Sequence, residues 1–163
     1  MRNILLLGTQ YTLEENDKNI ILKMSKRICE QKRKYFVDNY KYDHSVSLDY
    51  TNINGFGAEL AFCRLWGFKF DFSTIEKENH FKKIDCILPD GRSVDVKQTK
   101  YENGMLAVPV NKKKTYVNLF ALMTGVFPSY TFKGWTTYEY QIQKKNIINL
   151  GRFLGKATKS LMI

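Results

Sequence analysis

The sequence predicts an α/β protein in which a central mixed β-sheet of about four or five strands is flanked by helices. Three observations favour this class. They are helical periodicity over residues 13–39, an almost wholly apolar helical segment over residues 57–66, and short β-prone runs from residue 84 onward. The chain has 163 residues, of which 44% are hydrophobic and 14% aromatic, so it can bury one sizeable core. A single domain over residues 1–163 is therefore expected.

The first predicted element is a long N-terminal helix over residues 13–39. Its apolar residues recur at helical spacing and form one stripe, which contains Ile20, Ile21 and Met24. Lysines and arginines occupy the other faces, and they suit a solvated surface and a nucleic-acid-binding surface equally well. Residues 40–54 have no clear period, so a loop is predicted there.

The second predicted helix, over residues 57–66, is apolar almost all round and should be buried on most sides. Glu59 is the exception. A carboxylate in such a helix is costly unless it is paired, hydrogen-bonded or bound to a metal ion. Glu59 is therefore a candidate site residue, although a first-turn acid favoured by the helix dipole, or the partner of an arginine, would also fit.

A β-hairpin is predicted next, from two β-prone runs over residues 84–88 and 92–98. Between them, Pro89-Asp90-Gly91 supplies the fixed φ, the short polar side chain and the permissive glycine that a tight turn needs. A three-residue loop makes Leu88 face Arg92. The same register makes Asp85 face Asp95.

Alternation along the strand places Asp95 and Lys97 on one face and Val94 and Val96 on the opposite, apolar face. The face with the acid and the lysine is a candidate catalytic face. Carboxylates opposite one another are unfavourable unless a cation lies between them. Mg²⁺ is the natural candidate, since it takes hard oxygen ligands and keeps several waters. Lys97 would then contact the attacking water or a scissile phosphate. The alternative is a solvated sheet face, on which acids and lysines are common.

Later segments predict further strands over residues 105–110, 116–124 and 130–133. Residues 138–163 are mixed in character and are predicted to form helical material. That segment would pack on the core or supply a dimer or DNA contact, and the sequence leaves these alternatives open.

The formal net charge of +10 and the pI near 9.5 favour a polyanionic partner, and nucleic acid in particular. RNA-binding and ribosome-associated proteins share such a charge. The candidates for phosphate contacts, besides the lysine of the hairpin, are Lys100, Lys112, Lys113 and Lys114.

The order of these acids and of the hairpin lysine resembles the PD-(D/E)XK nuclease superfamily, in which a helix acid, a strand aspartate and a D/E-x-K strand form one site. Later strands resemble those of small phage-type members, so the resemblance spans about residues 20–140. Pro89-Asp90 spells part of the motif but lies too close to Asp95 to form a separate strand, so the metal role passes to Asp85. The matching positions are Gly55, Gly57, Glu59, Ala61, Asp85, Asp95, Val96 and Lys97.

The resemblance implies a restriction-endonuclease-like core and a Mg²⁺-dependent endodeoxyribonuclease, with Mn²⁺ able to substitute. Asp85 and Asp95 would hold the metal, the backbone carbonyl of Val96 would be a further ligand, and Glu59 would complete the shell directly or through water. Lys97 would lower the pKa of the attacking water or stabilise the transition state. The alternatives are an exonuclease or Holliday-junction resolvase of the same fold, or a non-catalytic nucleic-acid-binding protein.

Cysteine usage and hydropathy bear on location. Cys29, Cys63 and Cys86 show no metal-binding spacing and are expected to be reduced, which favours the cytoplasm. No signal peptide is recognised, and no run approaches the roughly 18 apolar residues of a membrane span, so no membrane partner is expected. The likeness to phage-type members implies action in the cytoplasm of a host cell.

Overall fold

The computed structural model describes residues 7–35, 48–70, 85–109, 117–143, 147–150 and 153–158. These residues form three helices and eight strands, and the α/β class is thereby confirmed. In chain order the elements are β1 (Gln10–Thr12), α1 (Glu15–Tyr35), α2 (Leu48–Trp66), β2 (Cys86–Ile87), β3 (Ser93–Thr99), β4 (Leu106–Pro109), β5 (Leu119–Val126), β6 (Ser129–Thr137), α3 (Tyr138–Gln141), β7 (Ile147–Leu150) and β8 (Phe153–Thr158).

The central sheet is mixed and has five strands in the order β1-β6-β5-β3-β2, in agreement with the predicted number. β3 and β5 are parallel, and the other neighbours are antiparallel. A parallel pair needs a long crossover connection, which is usually a helix. In the described part of this connection, residues 100–109 and 117–118, the chain forms β4 and no helix.

Both long helices lie on one side of this sheet. Ala61 and Phe62 of α2 are fully buried in a cluster with Val94 and Val96 of β3. α1 packs against α2, and a two-bonded ion pair between the helices adds to this contact. In it, Arg64 donates from Nη2 to Oδ1 of the buried Asp17 at 2.8 Å and from Nε to Oδ2 at 2.9 Å.

The opposite side of the central sheet carries a second, smaller apolar cluster. Phe120 and Leu122 of β5 pack there against Leu106 and Val108 of β4. β4 belongs to a separate three-stranded sheet in the order β4-β8-β7. The central sheet is therefore covered by helices on one face and, in part, by β4 on the other.

The start of α2 differs from the prediction, because residues 48–54 are helical and not a loop. Asn54 explains part of the difference. Its side chain is buried, donates to the carbonyl of Tyr50 at 2.8 Å and accepts from the amide of Phe127 at 2.8 Å. Asparagine has low helix propensity, so a tertiary hydrogen bond that the local sequence does not contain favours the helix here.

The predicted helical character of residues 138–163 is wrong for most of the part that is described. Only the four residues of α3 are helical, and β7 and β8 form a hairpin in which Leu150 lies opposite Phe153. In the sequence, Gly151-Arg152 separates the largely apolar run Ile147–Leu150 from Phe153, and a glycine in a two-residue connection is a hairpin signal. A dimer or DNA contact from this segment stays a prediction.

The cysteines are distributed over three elements. Cys29 lies in α1, Cys63 in α2 and Cys86 in β2, and all three are buried thiols. Of the helices that the structure describes, none is both long and apolar enough to cross a membrane.

Candidate active site

The hairpin of β2 and β3 forms as predicted. Leu88 donates its amide to the carbonyl of Arg92 at 2.9 Å, and Gly91 donates to the carbonyl of Leu88 at 2.9 Å. Gly91 has φ of 85°, which glycine adopts readily, and Asp90 Oδ1 accepts from the amide of Arg92 at 3.1 Å. Pro89 and Asp90 therefore belong to the turn and not to the site.

Asp85 immediately precedes β2. Cys86 lies opposite Val94 and Ile87 lies opposite Ser93, and Asp85 stands just before these registered pairs. The amide of Asp85 donates to the carbonyl of Val94 at 3.0 Å, and its side-chain Oδ2 accepts from the amide of Val96 at 2.6 Å. The carboxylate of Asp85 thus occupies a position that a backbone carbonyl of a longer β2 would fill.

Asp95 and Lys97 lie on the sheet face opposite α2, next to Phe120 and Leu122 in register on β5. The side chain of Asp95 is 5% exposed and that of Lys97 is 33% exposed. Lys97 Nζ donates a hydrogen bond to Asp95 Oδ1. Burial of a carboxylate to this depth is costly without a partner, and Lys97 supplies one.

The pKa of Lys97 is affected by the charges of the three other predicted site residues, Asp95, Asp85 and Glu59. Burial lowers the pKa of the Lys97 ammonium, but the charge and hydrogen bond of Asp95 raise it, and the charges of Asp85 and Glu59 add to this effect. The resulting pKa lies above the ordinary value of lysine. Lys97 is therefore protonated at neutral pH.

Glu59 lies on α2, which packs on the other face of the central sheet. It is half-buried, whereas its neighbours Ala58 and Leu60 are fully buried. Its charge contributes to the raised pKa of Lys97, although Asp95 and Lys97 lie on the sheet face opposite α2. A joint site of the helix acid, the two aspartates and the lysine stays a prediction.

The fit of a metal ion can be judged from the donor atoms. Among the described residues, no group of three or more histidine, cysteine, aspartate or glutamate side chains is placed to hold a metal ion. Mg²⁺ is commonly bound through one or two carboxylates with several waters retained. A pair of carboxylates such as Asp85 and Asp95 is the number of ligands that this mode needs, and among the described residues Glu59 does not complete a three-carboxylate group with them.

A cleft of about 340 Å³ opens beside the carboxyl ends of the parallel strands β3 and β5. Ligands of open α/β sheets commonly bind in this position. Lys100 lines the cleft, whereas Lys112, Lys113 and Lys114 lie outside the described residues. The lining consists of Gly8, Gln10, Lys100, Glu102, Thr124, Gly125, Thr131 and Lys133.

Most of these lining residues are not identified by the sequence analysis. A signal does exist in β6, where Tyr130 and Phe132 alternate with the more polar Thr131 and Lys133. That alternation indicates that one face of β6 is polar. It does not indicate that residues of β1 and of the end of β3 line the same cleft.

The matched region of a known family contains the candidate site. A family model described as "Family of unknown function (DUF5843)" matches residues 3–132 of the chain, which include Glu59, Asp85, Asp95 and Lys97. No curated protein and no solved structure matches the chain significantly.

Proposed function

The chain belongs to this family of unknown function, and from the geometry of its site we propose that it is a Mg²⁺-dependent endodeoxyribonuclease. One observation carries the proposal. A protonated lysine on a central strand is bound to the buried Asp95 and lies in the field of Asp85 and Glu59. Perturbed titratable groups of this kind cluster at functional sites.

The fold supports a restriction-endonuclease-like core and membership of the PD-(D/E)XK superfamily. That superfamily combines a helix acid, a strand aspartate and a D/E-x-K strand. Here α2 carries Glu59, β3 carries Asp95 and Lys97, and Asp85 adjoins β2.

In the proposed mechanism, Asp85 and Asp95 would hold Mg²⁺, with the carbonyl of Val96 as a further ligand and Glu59 outside the pair. When bound, the metal supplies Lewis-acid polarisation of the scissile phosphate and a lowered pKa of a bound water. The Val96 amide fixes the orientation of Asp85 by the 2.6 Å hydrogen bond.

The protonated state of Lys97 narrows its role. In the metal-free protein the charge and hydrogen bond of Asp95 raise the pKa of Lys97, which favours its cationic form. An ammonium is suited to neutralise charge that develops on the phosphate oxygens in the transition state. Asp95 positions this ammonium through its hydrogen bond.

DNA is the proposed substrate because the chain carries a net charge of +10 and places Lys100 in the cleft beside the site. Mn²⁺ is expected to replace Mg²⁺, since it accepts the same carboxylate and water ligands. The cytoplasm is the proposed location, where buried thiols such as Cys63 stay reduced.

One observation favours a second candidate, a non-catalytic nucleic-acid-binding protein. The Lys97–Asp95 ion pair neutralises the buried carboxylate without a metal ion. A structural ion pair in a basic protein would have the same geometry. The two functions differ in whether phosphodiester bonds are broken.

The deciding experiment incubates supercoiled, linear, single-stranded and branched DNA with the protein in Mg²⁺, Mn²⁺ or EDTA. We expect nicking and linearisation of supercoiled DNA with either metal and none in EDTA. Lys97→Met should lower the rate by about 10²- to 10⁴-fold, the usual cost of losing one catalytic group. The control Lys26→Met removes an exposed lysine of α1, on the other side of the sheet, and should retain the rate.

A folding control is needed because Lys97→Met alone leaves the charge of Asp95 buried. The double variant Asp95→Asn, Lys97→Met removes both charges and should stay folded but inactive. Binding without cleavage of any substrate by wild type would favour the non-catalytic alternative. Cleavage of branched DNA only, or of linear ends only, would identify a resolvase or an exonuclease.

A further inference from the structure

The cleft at the carboxyl ends of β3 and β5 has a polar floor built from neighbouring strands. Thr124 of β5 is 2% exposed and lies opposite Thr99 of β3 and Thr131 of β6. Gln10 of β1 lies opposite Thr131. Strand registers therefore align four hydrogen-bonding side chains across the central sheet, on the face that carries Lys97.

A β-bulge brings a lysine to this floor. Leu122 pairs with Gly134 and Met123 pairs with Phe132, so Lys133 is the extra residue of β6 between two registered pairs. Bulges often re-aim a side chain next to a functional site. Lys133 is half-buried and lines the cleft. Lys100, which follows the end of β3, also lines the cleft.

The charges in the cleft match a phosphodiester better than a free phosphate. Lys100 and Lys133 contribute two positive charges and Glu102 contributes one negative charge, so the lining carries a net charge of one. A DNA phosphodiester carries a single negative charge. Inorganic phosphate near neutral pH carries more negative charge than a phosphodiester, so the negative charge of Glu102 repels it more strongly.

An aromatic side chain beside the cleft also favours a nucleic acid strand. The ring of Tyr101 is 65% exposed, and Lys100 Nζ lies 5.2 Å from the ring centroid. Exposed aromatic rings next to cationic side chains are the usual platform on which bases of a single strand stack. The Tyr101 ring is thus an exposed aromatic surface next to two residues that line the cleft.

We propose that this cleft binds one backbone phosphate of the DNA strand that is cut, through Lys133 and Lys100, close to the scissile phosphate. Lys97 and Lys100 are separated by three residues, or roughly 10 Å of strand at about 3.3 Å per residue. The two phosphates would therefore be near neighbours on one strand. The inference rests on the proposed function, because it takes the position of Lys97 as the scissile site.

The experiment measures equilibrium binding in EDTA, where no cleavage occurs. Oligonucleotides each carry one uncharged methylphosphonate linkage, which is moved along the strand. Wild type should lose affinity when one particular linkage is neutral, whereas Lys133→Gln should bind that oligonucleotide and the unmodified one equally. Between 50 and 200 mM salt, Lys133→Gln should lose affinity about 3-fold less than wild type, since one phosphate contact contributes a slope of about 0.9.

Three further variants sharpen the result. Lys100→Gln should show the same loss of sensitivity at the same linkage, which guards against a folding defect of Lys133→Gln in β6. Glu102→Gln should bind more tightly than wild type because it removes the opposing charge. Lys26→Gln, which removes an exposed lysine of α1, should keep the wild-type response at that linkage.

Several outcomes would overturn the inference without touching the proposed nuclease. These are wild-type binding that responds to no single linkage, an unchanged salt slope in Lys133→Gln and Lys100→Gln, or an equal change in Lys26→Gln. Competition by inorganic phosphate at matched ionic strength would identify a free-anion site instead. Failure of wild type to bind any DNA would reject the proposed function and the cleft together.

Discussion

At the scale of single residues, the carboxylate of Asp85 has two separable tasks. One oxygen accepts the amide of Val96 at 2.6 Å and so replaces a missing ladder hydrogen bond at the end of β2. The negative charge acts on Lys97 and, in the proposed mechanism, on the metal ion. A substitution that keeps the oxygen and removes the charge should distinguish the two tasks.

We therefore expect Asp85→Asn to retain most of the stability of the protein, because the amide oxygen of asparagine can still accept the Val96 amide. Asp85→Ala leaves that part-buried amide without its acceptor and should cost about 1–3 kcal/mol in the free energy of unfolding. Both variants should lose metal-dependent cleavage. Urea denaturation measures the difference, and equal stability losses would show that the hydrogen bond is not what holds Asp85.

At the scale of elements, α2 depends on a close approach to β6. A Cβ atom at Gly57 would come far inside van der Waals contact with Tyr130, whose hydroxyl donates to the carbonyl of Asn54 at 3.2 Å. Tyr130 is only 1% exposed, so it has little room to move. Gly55, two residues earlier in the same helix, has open space at the corresponding position.

These two glycines form a matched pair for mutation. Gly55→Ala should stabilise the protein by about 0.5–1 kcal/mol, the usual gain from replacing a helical glycine. Gly57→Ala should destabilise it by about 1–2 kcal/mol, since overpacking costs about 1–3 kcal/mol and exceeds the same gain. Urea denaturation gives both values. Stabilisation by both substitutions would mean that α2 does not lie this close to Tyr130.

The elements that the sequence predicts well are those whose signals are local. The turn at Pro89-Asp90-Gly91 sets the hairpin register, in which Cys86 lies opposite Val94, and Asp85 adjoins this pair. Local signals do not contain the tertiary hydrogen bonds of Asn54, which extend α2 toward Leu48. They also do not contain the pairing of β1 with β6, so the cleft beyond the acidic site could not be predicted.

At the scale of the whole molecule, the central sheet separates two environments. Its helical face is an extended apolar core, whereas its other face is apolar near β4 and polar toward the carboxyl ends of β3 and β5. The candidate site lies on the second face, between the small apolar cluster and the cleft. This arrangement lets a strongly basic chain bury Asp95 and still present Lys97 to solvent.

The three buried cysteines lie in α1, α2 and β2, so their reaction with a thiol reagent can report local opening of each of these elements. A thiol reagent modifies a buried cysteine only when the surrounding structure opens, so its modification rate measures the free energy of local opening. Cys86 lies in the two-residue edge strand β2, beside Asp85, and should react faster than Cys29 of α1 or Cys63 of α2. Peptide mapping by mass spectrometry would give the three rates on the unmodified protein.

The same reporter tests the metal site without any substrate. Mg²⁺ at ten times its dissociation constant should slow modification of Cys86 about 11-fold if opening of β2 destroys the site, from the factor 1 + [L]/Kd. Openings of α1 that leave the site intact should keep the rate at Cys29 unchanged, and Asp85→Asn should abolish the protection of Cys86. No protection of Cys86 in wild type would exclude Asp85 as a ligand. Because β2 has only two residues and opens easily, the modification rate of its Cys86 would report whether the metal site is occupied.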